Sequence, residues 1–450
     1  MSFTVQGQHV VVVGGARSGI AAAELLLSRG ARVTLSDLRE PEGADALRRL
    51  GAVVDVGPHR TDIFKGADLV VLSPGVPPDQ EAVQAARRAG VPVIGEIELA
   101  SRWLQGRVIA ITGTKGKSTT TTLTARMLEE AGLDSTAGGN LGRPLSTQVA
   151  SSHPHTLHVV EVSSFQLETT DRFHPWISVL VNFSSDHLDR HPTIEAYGAA
   201  KARVFANQTP DDWAVVNADD APSMALARDA RARRFDFALD ADVHDGVTVS
   251  GGDIVRCDQG RTAPLVPLSS VRLPGRHLLG DVLAAAAVGC VAGVPPAAMR
   301  RAVEGFAGLP HALEHVADVR GVSFVNDSKA TNIASARRSI ESFGAGVVAI
   351  MGGRFKGGDF ADLHDAVRAR ATGIVTIGEA APRIAAALGG VVPIRHADSM
   401  TEAVSSAFAM AKPGGVVVLA PGCSSFDMFR DYIDRGDQFR AAVRALEAGT

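Results

Sequence analysis

The chain has 450 residues, 45% of them hydrophobic and 21% charged, which suits a folded protein of two to four domains and excludes a disordered one. A formal net charge of −4 excludes a general nucleic-acid binder. Cys257, Cys290 and Cys423 show no disulfide or zinc spacing, and neither the N-terminus nor the apolar 282–294 segment has the form of a signal peptide or a membrane span, so a cytoplasmic protein without membrane insertion is expected.

Residues 9–13 read as a buried parallel strand, followed by the turn Gly14-Gly15-Ala16-Arg17-Ser18-Gly19 and a helix over 20–29. A second strand over 31–36 stops at Asp37. A glycine turn with an acid about twenty residues on approaches the dinucleotide fingerprint. Ala16, however, stands where a second glycine would let the backbone meet a pyrophosphate. Two readings stay open: an NAD-dependent dehydrogenase, or a Rossmann-like domain for another nucleotide, with Asp37 accepting from its base or sugar. Helices over 44–50 and 79–89 and strands over 53–56, 69–72 and 91–94 continue the alternation. The turn from Ser73 to Pro78, with Gly75, lies at a strand's C-terminal end, where ligands of open α/β sheets bind. A helix over 96–104 bridges to the next domain.

The stretch 108–131 dominates the chain. An apolar strand over 108–111 turns through Thr112, Gly113, Thr114, Lys115, Gly116, Lys117, Ser118 and Thr119 into a helix. Strand, glycine turn and helix aim backbone N–H groups and a helix N-terminus at a phosphate. Lys117 supplies a cation for the outer phosphates and Ser118 a hydroxyl for Mg²⁺. The spacing is two residues shorter than the standard phosphate loop, yet it points to ATP. Residues 138–142, with Asn140, read as a flexible loop. A strand over 157–162 carries Glu161 near its end, a natural Mg²⁺ partner. Another strand over 177–182 leads into Asp186, His187 and Asp189, where His187 with either acid forms a candidate second metal site. Lys201 lies in a helix among alanines, and composition alone makes it solvent-facing. Short antiparallel strands follow over 235–275, then an Ala-rich helix over 281–294.

In the last third, strands over 322–326, 346–351, 374–378 and 416–420 are expected, with a helix reaching residue 343. Three of these strands end in polar loops: Asp327, Lys329 and Thr331 on the first, Lys356 on the second and Ser425 on the last. Lysines and hydroxyls gathered at sheet edges suit a substrate bearing carboxylates.

Together these residues resemble the Mur ligase family, the ATP-dependent amide-forming ligases of peptidoglycan synthesis, over nearly the whole chain. The loop 112–119, Glu161 with the run 163–168, the run 186–191 and Lys201 are similar to the family's shared core. The runs 326–332 and 420–429 are similar to its D-glutamate-adding branch. The resemblance implies an α/β protein of three domains. These are a Rossmann-like domain over 1–96, a central P-loop ATPase-like domain over 97–308 and a Rossmann-like domain over 309–450. It implies the substrates UDP-N-acetylmuramoyl-L-alanine and D-glutamate, joined through an acyl phosphate, and a monomer is the expected form. It also implies ATP, two Mg²⁺ ions and CO₂, the last as a carbamate on Lys201. Gly113, Thr114, Lys115, Gly116, Lys117, Ser118 and Thr119 would hold ATP. Ser118, Glu161, His187 and carbamylated Lys201 would hold the metals. Gly14, Ala16, Arg17, Asp37, Gly75 and Asn140 would hold the UDP part, so the first domain is expected to bind UDP and not NAD. Asp327, Lys329, Thr331, Lys356 and Ser425 would hold D-glutamate.

The chain departs from the family twice. Ala312 follows Pro310-His311 where the family has arginine, and the family's His-Asn-x-x-Asn segment reads His277-Leu278-Leu279-Gly280-Asp281. A relative adding another amino acid, or a catalytically silent nucleotide sensor, is the competing reading. Hinges are expected near residues 96 and 308.

Overall fold

A computed structural model describes residues 3–187, 190–273 and 275–449. The chain divides into two compact units, residues 1–271 with 280–305 and residues 272–279 with 306–450.

The first unit contains two parallel sheets. The first is built from β1 (His9–Val13), β2 (Arg32–Asp37), β3 (Val53–Val56), β4 (Leu69–Leu72) and β5 (Val93–Gly95) in the order β3-β2-β1-β4-β5. The Val10–Val13 run is fully buried, as a strand covered on both faces must be. The second sheet holds β6 (Arg107–Thr112), β7 (Ser135–Gly139), β8 (Leu157–Glu161), β9 (Ile177–Leu180), β10 (Trp213–Val216) and β11 (Arg233–Arg234). Its order is β11-β10-β9-β6-β8-β7, which sets the loop after β6 between the ends of β9 and β8. A small sheet of β12 (Asp236–Phe237), β13 (Asp245–Ser250), β14 (Asp253–Asp258) and β15 (Arg261–Pro267) follows, antiparallel except for the β12–β13 pair.

The second unit is one sheet ordered β16-β17-β21-β18-β19-β20. Its strands are β16 (Glu314–Val319), β17 (Val322–Asn326), β18 (Val347–Gly352), β19 (Ala371–Ile377), β20 (Ile394–His396) and β21 (Val416–Leu419). Only the β16–β17 pair is antiparallel. No helix among the described residues is long and apolar enough to cross a membrane.

Two expectations need correction. Gly138 and Gly139 belong to strand β7, not to a flexible loop. A Cβ on Gly138 would stand 2.1 Å from Gln148 Nε2, and one on Gly139 would stand 2.4 Å from the Glu161 carbonyl oxygen, so close approach explains the glycines. The Ala-rich helix runs over Arg276–Ala292, five residues earlier than expected. A hydrogen-bonded joint stands near residue 96, where a hinge is expected. Glu98 is fully buried, and its Oε2 accepts the backbone N–H groups of Asp171, Arg172 and Phe173 at 2.8, 3.0 and 2.9 Å. Its Oε1 accepts from Arg102 Nε at 2.8 Å. Beside it, Glu96 Oε1 accepts the Ser146 N–H at 2.6 Å. Burial pushes the Glu96 carboxyl above the ordinary glutamate range.

Truncating Glu98 leaves those N–H groups orphaned in the interior. Glu98→Ala is therefore expected to lower the unfolding free energy by at least about 3 kcal/mol, and Glu98→Gln, which keeps an acceptor, by less than half of that. Urea unfolding of the full chain measures both, and equal losses would show that the carboxylate does not carry the joint.

Candidate active site

The loop after β6 sits at the C-terminal edge of the second sheet. Gly113 has φ +152° and Gly116 has φ +80°, a left-handed conformation that opens the helix Lys117–Glu130. A helix start leaves its first backbone N–H groups without partners inside the helix, which suits a phosphate. Lys117 Nζ donates to the carbonyls of Gly113 and Thr114 at 3.0 and 2.9 Å. Lys115 Nζ lies 3.0 Å from Asp186 Oδ2, and its N–H donates to Asn182 Oδ1 at 2.9 Å. Thr114 Oγ1 donates to the Ser184 carbonyl at 3.1 Å, and Thr119 is buried in the helix. The loop after β9 is thereby fastened to the phosphate loop. Asp281, one of the departures from the family, is buried against the same loop: a Cβ on Gly116 would stand 2.0 Å from its Oδ1.

Glu161, at the end of β8, is buried between two donors. Ser118 Oγ donates to its Oε2 at 2.6 Å, and Asn140 Nδ2 donates to its Oε1 at 2.6 Å. A hydroxyl and a carboxylate in contact at a phosphate loop suit a hard cation that takes oxygen ligands, so these residues fit Mg²⁺. Among the described residues no three His, Cys, Asp or Glu side chains cluster as a metal site on their own. Asp189 lies outside the described residues. The His187 ring packs 4.9 Å from Phe165 and 6.1 Å from Tyr197, centroid to centroid.

Lys201 is the largest surprise in the site. It is 1% exposed, not solvent-facing. Its Nζ donates to the Gly113 carbonyl at 2.7 Å and lies 4.6 Å from the centre of the Tyr197 ring. Burial holds its pKa well below the lysine range, and the charges of Lys117 and Lys115 push the same way against Asp186 and Glu161. Burial and the neighbouring lysines thus both disfavour a positive charge on this amine.

The residues expected for the UDP part come together in one cleft of about 410 Å³ in the first unit. Gly14, Ala16 and Arg17 come from the end of β1, Asp37 from β2 and Gly75 from the loop after β4, while Asn140 follows β7. Asp37 Oδ2 accepts the Gly15 N–H at 2.5 Å, and Ser73 Oγ donates to the Gly14 carbonyl at 2.7 Å. A Cβ on Gly19 would stand 1.8 Å from that carbonyl, so the turn closes only without one. Arg17 Nη1 donates to the Gly142 carbonyl at 3.3 Å. Ser73 and Val76, from the turn expected at a ligand-binding edge, also line the cleft, as does Gln166, which the sequence did not assign to it. Their position between two strand ends was the available signal.

In the second unit, β17, β21 and β18 are neighbours, so the loops bearing Lys329 and Thr331, Ser425 and Lys356 leave adjacent strand ends. The Gly422 N–H donates to the Ala330 carbonyl at 2.9 Å, and the Arg354 N–H to the Ser424 carbonyl at 2.9 Å. Lys329 and Lys356 are exposed, Thr331 is half-buried and Ser425 is buried. Asp327 faces inward. Burial pushes its carboxyl up to about 6, and it accepts the Leu313 N–H at 3.2 Å and the Ser339 hydroxyl. Arg435, unflagged by sequence, is fully buried beneath these loops. It donates to the carbonyls of Cys423 and Ser328 at 3.1 and 2.9 Å, and burial pushes its pKa down to about 10.

A phosphate loop, a hydroxyl–carboxylate pair for a divalent cation and a separate nucleotide cleft define an ATP-dependent ligase of the α/β class. The comparisons agree. The Mur ligase MurD-like N-terminal domain matches residues 8–95, the Mur ligase middle domain matches 111–289, and the Mur ligase glutamate ligase domain matches 313–423. The chain belongs to the Mur ligase family. It is 44% identical over 447 residues to the UDP-N-acetylmuramoylalanine--D-glutamate ligase of Acidobacterium capsulatum, covering 98% of this chain and 97% of that one. It is 42% identical to the protein of that name from Koribacter versatilis, with 98% of each chain covered. The UDP-N-acetylmuramate-alanine ligase of Thermotoga maritima shares the fold, with a TM-score of 0.61, 18% identity and coverage of 98% of this chain and 100% of that one. A pseudomurein peptide ligase of Methanothermus fervidus does so too, with a TM-score of 0.61, 15% identity and the same coverage. The family works with ATP and Mg²⁺.

Proposed function

We propose that this chain joins D-glutamate to UDP-N-acetylmuramoyl-L-alanine, converting ATP to ADP and phosphate. The observation that carries this reading is the hydrogen-bonded line from the UDP cleft to the phosphate loop. Asn140 lines the cleft and donates to Glu161, and Ser118 of the phosphate loop donates to the same carboxylate. A substrate whose nucleotide end lies in the cleft extends its free carboxylate towards that line.

A carboxylate is a poor electrophile, so a leaving group must be installed. In this reading its oxygen attacks the γ-phosphorus of ATP, ADP departs and an acyl phosphate forms. The D-glutamate amine then attacks the acyl carbon, loses a proton and expels phosphate. Lys117 and Lys115 offset the crowded negative charge, and the loop N–H groups orient the phosphates. Mg²⁺ would supply further charge neutralisation, one ion held through Ser118 and Glu161 and a second through His187. Lys201 in its neutral form adds through nitrogen to the carbon of CO₂ and releases a proton. The resulting carbamate gives the site an anionic oxygen ligand where a buried ammonium would repel the cation. Lys329, Thr331, Lys356 and Ser425 bind D-glutamate, and Asp327 fixes their loop from within.

Phosphate release from ATP, Mg²⁺ and UDP-N-acetylmuramoyl-L-alanine is expected with D-glutamate and not with L-glutamate. Release with another amino acid would move the chain to a different specificity, and none at all would sink the ligase reading. With ¹³CO₂ a carbamate carbon resonance is expected in the wild-type protein and not in Lys201→Arg; no such signal at any bicarbonate level would remove the carbamate.

A further inference from the structure

Arg190 takes no part in the chemistry above, yet it touches three pieces of the site. Its Nη2 donates to the Val76 carbonyl at 3.2 Å and lies 3.3 Å from Glu168 Oε2. Its Cζ stands 5.0 Å from the centre of the Phe165 ring, the ring that packs on His187. Val76 lines the UDP cleft beside Gly75. The N–H groups of Arg190 and His191 both donate to the His187 carbonyl, at 3.0 and 2.9 Å. His191 is buried and held on both sides, with Nε2 2.9 Å from Ser164 Oγ and Nδ1 3.1 Å from Glu168 Oε1. One guanidinium therefore runs from the wall of the nucleotide cleft to the segment that places His187.

The planar cation suits this task. It donates to a carbonyl and a carboxylate while its Cζ lies over an aromatic ring, a planar stacked geometry that a lysine ammonium does not have. Whatever fixes the Val76 wall steadies Arg190, and whatever fixes the His187 segment steadies it from the other end. Such a link is reciprocal by thermodynamic necessity.

We propose that Arg190 is a positioning residue that couples occupation of the UDP cleft to divalent-cation binding at His187. The proposal rests on the functional reading of those two places. Calorimetric binding of UDP-N-acetylmuramoyl-L-alanine to the full chain, with a non-hydrolysable ATP analogue present and Mg²⁺ absent or present, tests it without turnover. Wild-type affinity is expected to rise about fivefold or more on adding Mg²⁺, within the usual range of coupling between sites. In Arg190→Gln and Arg190→Lys that ratio falls to near one while the thermal midpoint holds. In Asp37→Ala affinity falls with and without Mg²⁺ and the ratio persists. A wild-type ratio near one, or a wild-type ratio kept in Arg190→Gln, overturns the coupling. Equal loss of affinity in both conditions with a lowered midpoint marks a structural residue and overturns it too. Failure of the wild-type protein to bind the UDP compound at all would instead overturn the functional reading.

Discussion

The site depends on one costly constraint: an amine buried against a carbonyl, Lys201 Nζ to Gly113 O at 2.7 Å. Burial and two further lysines disfavour a positive charge there and lower the basicity of the amine. The position is over-determined from several sides. The Tyr197 ring lies beneath Nζ, and Thr114 of the phosphate loop ties to Ser184 after β9. The phosphate loop, the Ser118–Glu161 pair and the low basicity of one lysine are thus parts of one packing arrangement.

That arrangement is set by strand order. β6 lies between β9 and β8, so its loop meets Glu161 on one side and the Asn182–Asp186 segment on the other. β7, beyond β8, delivers Asn140 to Glu161. The first sheet repeats the scheme with β2, β1 and β4 around the cleft lined by Asp37, Gly14 and Gly75. The Glu98 joint ties the helix Glu96–Ser101 to residues 171–173 within the unit that holds both sheets. In the second unit β17, β21 and β18 bring three polar loops side by side, with Arg435 bonded beneath them.

Much of this was legible because its signals are local. Short valine-rich runs set β1, β4 and β21, and glycine turns marked the phosphate loop and the Gly14 turn. Glu161 was readable from its place at a strand end. What escaped depends on distant partners. Gly138 and Gly139 look like loop residues, and only the approach of Gln148 and the Glu161 carbonyl shows why a strand needs them. Lys201 looks like a surface lysine until Gly113, 88 positions away, is folded onto it. Arg435 reads as the polar face of the helix Tyr432–Ala448, and its partner Ser328 is 107 positions distant. Arg190 looked like one more charge in a polar run, and its role rests on Val76, 114 positions earlier. Nothing in the described structure accounts for Ala312 in place of the family's arginine.

The central claim is that the substrate carboxylate is activated by phosphoryl transfer at the β6 loop. Isotope tracing reads this directly. With ¹⁸O in the free carboxylate of UDP-N-acetylmuramoyl-L-alanine, one labelled oxygen is expected to appear in the phosphate released during turnover with D-glutamate. Unlabelled phosphate formed in step with the amide would contradict the account, because the carboxylate oxygen would then never have bonded to phosphorus.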